Sequence, residues 1–252
     1  IIPVVATFFV FSDYMKPAIR LSGIQELGVK YVWTHDAFRV GEDGPTHQPV
    51  EQEAQIRLLE KLKNHSGNPS FLALRPADSA ETSVAWKMAL KNTNSPSGLI
   101  LSRQGIKDLP AKGTSRYQDA LAAEKGGYLV KEVENPDVVL IANGSEVATL
   151  VEAAQILEVE NGLKVSIASV ISEGLFRLQS KDYQNSVIPK NKPLFGLTAG
   201  LPVNLEGLVG DHGKVFGLEH FGYSAPAKVL DDKFGFTGEK VSKEVLEYLK
   251  TV

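Results

Sequence analysis

Lys30-Tyr31-Val32-Trp33-Thr34 runs directly into His35-Asp36-Ala37-Phe38-Arg39-Val40-Gly41-Glu42-Asp43-Gly44-Pro45-Thr46-His47-Gln48-Pro49. The first five residues carry the β-branched and aromatic side chains of a short strand. The polar segment that follows therefore lies at a strand's C-terminal end, the place where open α/β sheets bind ligands. Two histidines, two aspartates and several turn formers sit in that one loop. Spacing alone leaves two readings level: a ligand site, or a solvated loop in which Gly41, Gly44 and Pro45 only shape turns. Glu42-Asp43-Gly44 suggests a magnesium motif of the Gly-Asp-Gly type, but no Asn-Asn pair follows it. No metal site is expected there.

Outward from this loop, apolar strands alternate with amphipathic runs. Residues 4–10 predict a buried strand that stops at Ser12-Asp13, a helix cap leading a run through Leu27 that Gly28 ends. A helix is expected over residues 50–62, a strand over 71–74, a helix from Asp78-x-x-Glu81 to about Lys91 and a strand over 98–101. Residues 104–125 are polar and aperiodic, a connection. Alternation resumes with strands over 138–142, 165–170, 194–198 and 215–218, and a helix over 146–159. Ser224-Ala225-Pro226 offers a serine cap and a first-turn proline to a further helix, and a last helix spans 242–249 with Val245, Leu246 and Leu249 in its apolar stripe. The fold class is α/β: two consecutive domains with mostly parallel sheets, residues 1–103 and 126–252, joined by a linker over 104–125.

Composition narrows the function. The 252 residues are 43% hydrophobic and 23% charged, the balance of a globular protein. A net charge of −3 offers no basic field for nucleic acid. No apolar run reaches the ~18 residues of a membrane span. Without cysteine there are no disulfides and no thiolate-held metal. The chain opens on Ile1 with no signal-peptide pattern, so a removed N-terminus or a piece of a longer protein is expected.

Thr34 to Glu51, with Gly41-Glu42-Asp43-Gly44-Pro45-Thr46-His47-Gln48-Pro49 at its centre, resembles the transketolase signature. Ala6-Thr7-Phe8-Phe9-Val10-Phe11-Ser12-Asp13-Tyr14 resembles the family's aromatic segment, and Leu101-Ser102-Arg103-Gln104 one of its strand ends. Gly144-Ser145-Glu146-Val147 and Phe221-Gly222-Tyr223-Ser224-Ala225-Pro226 are similar to stretches of its C-terminal domain. The likeness covers essentially the whole chain in order. Ala37-Phe38-Arg39 departs from it, standing where many members carry a Ser-Ile-Gly-like triplet.

The resemblance implies part of a pyrimidine-binding domain, incomplete at its N-terminus and exposing a sheet edge, followed by the family's C-terminal domain. It implies transfer of a two-carbon ketol unit between a ketose phosphate and an aldose phosphate, in a cytoplasmic homodimer of the pentose phosphate pathway. Thiamine diphosphate and Mg2+ (or Ca2+) would be cofactors of the full-length enzyme, their diphosphate and metal ligands and the pyrimidine-activating glutamate lying outside this chain. The fragment alone would be inactive. Phe8, Phe11 and Tyr14 would pack on the aminopyrimidine. His47 would assist proton transfer beside the reacting carbon, Asp43 would bind a sugar hydroxyl, and His35 and Arg103 the substrate phosphate. Outside the family, Phe8 and Phe11 fit plain core, His47 a capping or solvated histidine, Asp43 a turn and Arg103 an unpaired surface arginine. Gly144-Ser145-Glu146 looks like a phosphate-binding helix start, though an ordinary cap is the simpler reading. Dihydroxyacetone synthase shares these motifs, 1-deoxyxylulose-phosphate synthase fits them less well, and a non-catalytic regulatory module is the rival from another class.

Overall fold

The computed structural model describes residues 1–252. Strands β1 (Val4–Phe8), β2 (Lys30–Thr34), β3 (Leu72–Leu74) and β4 (Ser97–Ile100) form one sheet in the order β1-β2-β4-β3, every pair parallel. Helices α1 (Ser12–Ile24), α2 (Gln52–Glu60) and α3 (Ser79–Lys91) make the crossovers that parallel pairing requires. Val32 is registered between Ala6 and Leu99, so the carboxyl ends of β1, β2 and β4 are level. Phe8, Thr34 and Ile100 thus deliver the segments that follow them to one edge of the sheet.

After α4 (Arg116–Ala120), a second sheet takes the order β5-β7-β6-β8-β9 from β5 (Tyr128–Lys131), β6 (Val138–Ala142), β7 (Val165–Ser169), β8 (Leu194–Leu197) and β9 (Lys214–Phe216). Only β5 runs antiparallel, against β7. All five residues of β6 are buried, as expected of a parallel strand covered on both faces. Helices α5 (Glu146–Asn161), α6 (Glu173–Arg177), α7 (Lys181–Val187), α8 (Val203–Val209), α9 (Ala227–Phe234) and α10 (Gly238–Leu249) complete the unit. One hydrophobic core is continuous through both sheets, running from Leu74, Val84 and Leu99 to Leu140, Leu150 and Val245. Phe9, Trp33 and Phe71 fill a smaller core in the first unit. β1 is an edge strand whose Val4 and Val5 are exposed, beside exposed Leu21, Ile24 and Leu27. No helix is long and apolar enough to cross a membrane.

Several local expectations need correction. Ser12 does not cap α1: residues Phe9–Phe11 form a 3-10 turn that leads into the helix, Phe11 takes the N-cap position, and the Ser12 hydroxyl is buried without a partner. Ser224 does not cap α9 either, because its hydroxyl donates to the Glu42 carbonyl at 2.6 Å. The last helix starts at Gly238, before the expected residue 242, because Thr237 supplies the cap by accepting from the Lys240 amide. The segment over 104–125 carries α4 and is tied down, with Arg116 donating to Asp78 at 2.6 Å and to Glu81 at 3.1 Å. Asp78 caps α3 as expected, accepting from the Glu81 amide at 2.8 Å. Glu81 answers to the Ala77 amide, one residue short of the reciprocal box.

Candidate active site

β1 ends at Phe8, and the 3-10 turn running into α1 brings Phe11 and Tyr14 round beside it. The Phe8 and Phe11 rings lie 6.0 Å apart and nearly parallel, at 12°, and Tyr14 continues the row 6.0 Å beyond Phe11. His35, the first residue past β2, stacks on Phe8 at 3.7 Å. His47 stands edge-on to both phenylalanines, 5.4 Å from Phe11 and 6.3 Å from Phe8. Phe8 and Phe11 are half-buried, whereas Tyr14 is 84% exposed. The group is an open, flat apolar wall with an imidazole at its rim. That shape accepts a planar heterocycle.

The polar residues converge on His35. Burial first, then the Arg103 guanidinium, holds its imidazole below the ordinary value, against the opposite pull of Asp43 and Asp36. His35 is therefore neutral at neutral pH. Its Nδ1 lies 2.9 Å from the Thr34 hydroxyl. With Thr34 donating, Nε2–H is the outward donor. The Thr46 hydroxyl stands in the same relation to Nδ1 of His47, at 2.9 Å. His35 has φ of +62°, a left-handed backbone that is costly for a side chain of this size and is found where surrounding structure over-determines it. Arg103 and Asp43 are exposed, and neither forms an ion pair. All seven residues singled out from the sequence meet at this edge of the first sheet.

A buried charge network, unforeseen in the sequence, lies behind the wall. Arg75, the residue after β3, donates to Asp36 Oδ2 from Nε (3.1 Å) and Nη2 (2.7 Å), and from Nη1 to Asn143 Oδ1 (2.6 Å) and to Glu146. Burial pushes the Asp36 carboxyl above its ordinary value despite Arg75, and its Oδ1 has no partner. Burial also works against the charge of Glu146, but Arg75 and Arg39 together overcome it and hold that carboxyl below its usual range. The helix start at Gly144-Ser145-Glu146 is therefore no phosphate site. Arg75 occupies the space a ligand would need, and a Cβ on Gly144, whose φ is +58°, would lie 2.7 Å from the guanidinium carbon. Ser145 makes no cap bond. No group of three or more His, Cys, Asp or Glu side chains is arranged to hold a metal ion.

Comparison with known proteins meets this geometry. Residues 1–107 match the family model of the transketolase pyrimidine-binding domain, and residues 126–237 that of the transketolase-like C-terminal domain. The transketolase of Staphylococcus epidermidis is 40% identical over 245 residues, covering 96% of this chain and 35% of that protein. The structure of transketolase from Leishmania mexicana superposes with a TM-score of 0.87 at 37% identity, over all of this chain and 34% of that one. A Pichia stipitis transketolase complexed with sedoheptulose 7-phosphate gives 0.85 at 33% identity, over 98% of this chain and 34% of its own. The chain thus spans about a third of the length of these three relatives. With both domain models matched in order and the aromatic wall and histidine loop at the ends of the same parallel strands, the chain belongs to the transketolase family, matching its pyrimidine-binding domain over residues 1–107 and its C-terminal domain over 126–237.

Proposed function

We propose that the protein containing this chain uses thiamine diphosphate to move a two-carbon ketol unit from a ketose phosphate to an aldose phosphate. The supporting observation is the meeting of Phe8, Phe11, Tyr14, His35 and His47 on one open wall, with Arg103 and Asp43 acting on His35. The wall fits the pyrimidine ring of the cofactor. The diphosphate and its metal, Mg2+ or Ca2+, would be held by residues outside this chain, which has no metal-capable cluster. When bound, the cofactor supplies the nucleophilic carbon and the electron sink that carbon–carbon cleavage needs.

The remaining work falls to this chain's side chains. Phe8, Phe11 and Tyr14 would hold the pyrimidine ring by apolar contact. His47, with Nδ1 engaged by Thr46, presents Nε2 to the substrate oxygen and moves its proton. Asp43 accepts a hydrogen bond from a sugar hydroxyl. Neutral His35 donates from Nε2, and Arg103, free of any internal carboxylate, supplies positive charge and a planar fork for the phosphate. The Pichia complex with a sugar phosphate supports this substrate class. A homodimer working in the cytoplasm, in pentose phosphate metabolism, belongs to the same proposal.

Arg103→Ala tests the assignment in the ketol-transfer-competent protein. A charge-assisted contact is worth about 1.5–3 kcal/mol, so KM for phosphorylated ketoses rises about 10–100-fold while unphosphorylated analogues are nearly unaffected. Equal losses for both substrate types would make Arg103 structural. Absence of ketol transfer in the parent protein, supplied with thiamine diphosphate and divalent metal, would overturn the function itself.

A further inference from the structure

The second sheet unit gives no side chain to the aromatic wall, yet it grips the loop over 35–49 at three points. Arg39 is the first. Its Nη1 donates to Glu146 Oε1 at 2.7 Å and to the Ser145 hydroxyl at 3.1 Å, and its Nε donates to Asp231 Oδ1 at 2.7 Å. Beside it, Phe38 packs edge-on against Phe234 and Phe236, 5.1 and 5.0 Å away, and the Arg39 guanidinium lies over the Phe38 ring. Gln48 is the second point: Nε2 donates to the Tyr223 carbonyl at 3.0 Å and back across the loop to the Gly41 carbonyl at 3.1 Å. Gly222 makes this approach possible, since a Cβ there would lie 1.7 Å from Gln48 Oε1. The third is Ser224, whose hydroxyl donates to the Glu42 carbonyl.

Asp43 and His47 lie between these attachments. The segment bearing them has no strand or α-helix of its own, only the 3-10 turn Phe38–Asp43 kinked at Gly41. Backbone bonds from Gly44 to Gly41, from His47 to Gly44 and from Gln48 to Pro45 turn the loop, and the three attachments anchor it from outside. Arg39 closes the Ala37-Phe38-Arg39 stretch that differs from the triplet many family members carry.

We propose that Arg39, held between Glu146 and Asp231, is a positioning residue through which the second unit sets the placement of Asp43 and His47. The proposal rests on the reading of loop 35–49 as the substrate loop. Nothing in the pin touches the substrate. Its effect is on where the proton-transfer and hydroxyl-reading groups stand, and small misplacements of such groups cost about 10²-fold.

The test uses the ketol-transfer-competent protein with Arg39→Ala, Arg39→Lys, Asp231→Asn and the double variant Arg39→Ala/Asp231→Asn, assayed well below their melting temperatures. We expect kcat/KM to fall about 10–100-fold for Arg39→Ala, equally for phosphorylated and unphosphorylated donors, because the displaced groups act at the reacting end. Lysine should restore part of the loss, since it can pair with one acid but lacks the fork to span two. The double variant should lose no more than Arg39→Ala alone. If Arg39→Ala does not fold, the near-isosteric Asp231→Asn decides. A kcat/KM within twofold of the parent in the folded variants, with only the melting temperature lowered, makes the pin merely structural and overturns the proposal. A readout independent of catalysis separates this failure from failure of the ketol-transfer reading. The imidazole 15N resonances of His47 should move in Asp231→Asn whether or not the protein transfers ketol units, and unmoved resonances overturn the pin.

Discussion

Replacing Arg75 by methionine removes the centre of the buried network while keeping much of the side chain's bulk. Arg75 is 1% exposed and serves Asp36 twice, Asn143 twice and Glu146 once, with Glu53 Oε2 at 3.6 Å. Arg75→Met leaves Asp36 without an ion-pair partner and Glu146 paired with Arg39 alone. Stranding buried carboxylates in this way costs about 3–5 kcal/mol. At about 2–4 °C per kcal/mol for a chain of this size, the melting temperature should fall by about 6–20 °C at neutral pH. The pH dependence follows from the two carboxyls. In the parent, Glu146 is held below its ordinary value, so its contribution is present above the carboxylate range and is lost as pH falls through its folded value. Asp36 is held above its ordinary value, so its contribution declines as pH rises through its folded value. Without Arg75 both carboxyls move upward, and protonation at lower pH relieves the stranded charge. Thermal unfolding followed by far-UV circular dichroism at pH ~7.5 and ~5 should therefore show a deficit that narrows on acidification. A fall of less than about 3 °C at neutral pH, or a deficit as large at the lower pH, would refute the assignment of the network as a coupled structural charge cluster.

Other consequences are open to direct measurement. His47→Ala should slow ketol transfer by about 10²–10⁴-fold with cofactor affinity nearly intact, and a turnover within a factor of two of the parent removes it from the chemistry. His35→Ala should repeat the phosphate selectivity of the Arg103 variant more weakly, which comparison of KM for phosphorylated and unphosphorylated ketoses reads directly. The 252-residue chain on its own should show no micromolar binding of thiamine diphosphate with magnesium by isothermal titration, since it has no cluster able to hold the metal. Gly98→Ala should cost about 1–3 kcal/mol by overpacking; the new methyl would sit 2.4 Å from the Trp33 ring and 2.8 Å from that of Phe71. Denaturant melts should show the loss, and an unchanged midpoint would mean that this core relaxes more freely than its packing implies.

The strands were the most legible part of the fold. β2 and β6 fall on the residues expected because continuous β-branched and aromatic runs bounded by polar turns leave little choice of boundary. Local sequence misplaces the caps at Ser12 and Ser224, because a preceding 3-10 turn claims one position and the carbonyl of Glu42, far away in sequence, claims the other hydroxyl. α6, α7 and α8 span only five to seven residues, too few to show a helical period, and β5 adjoins the polar stretch that the sequence presents as a connection. At the site, the resemblance brought forward Phe8, Phe11, Tyr14, His35, Asp43, His47 and Arg103, and the structure places them together. Asp36, Gln48 and Glu146 stand in the family-like motifs and Arg75 in none, and nothing in the sequence marks their distant contacts. Those long-range partners lie 39 to 175 residues away, and no periodicity marks a contact of that range. Only Arg39 left a trace, as a departure from the expected triplet.

The single core through both sheets has a consequence for the order in which the molecule is made. Arg75 meets Glu146 across 71 residues, and Leu74 and Leu99 share their core with α5 and α10. At about 5–20 residues per second, the ribosome releases Arg75 roughly 4–14 s before Glu146 exists to receive it. During that interval the first sheet carries an apolar face and a cation–carboxylate pair with no lid, a state exposed to aggregation and to chaperones. If Arg39 positions the loop as proposed, the placement of Asp43 and His47 is completed only late in synthesis, once Asp231 has emerged to hold Arg39. Nascent chains arrested short of that point should be the protease-sensitive ones.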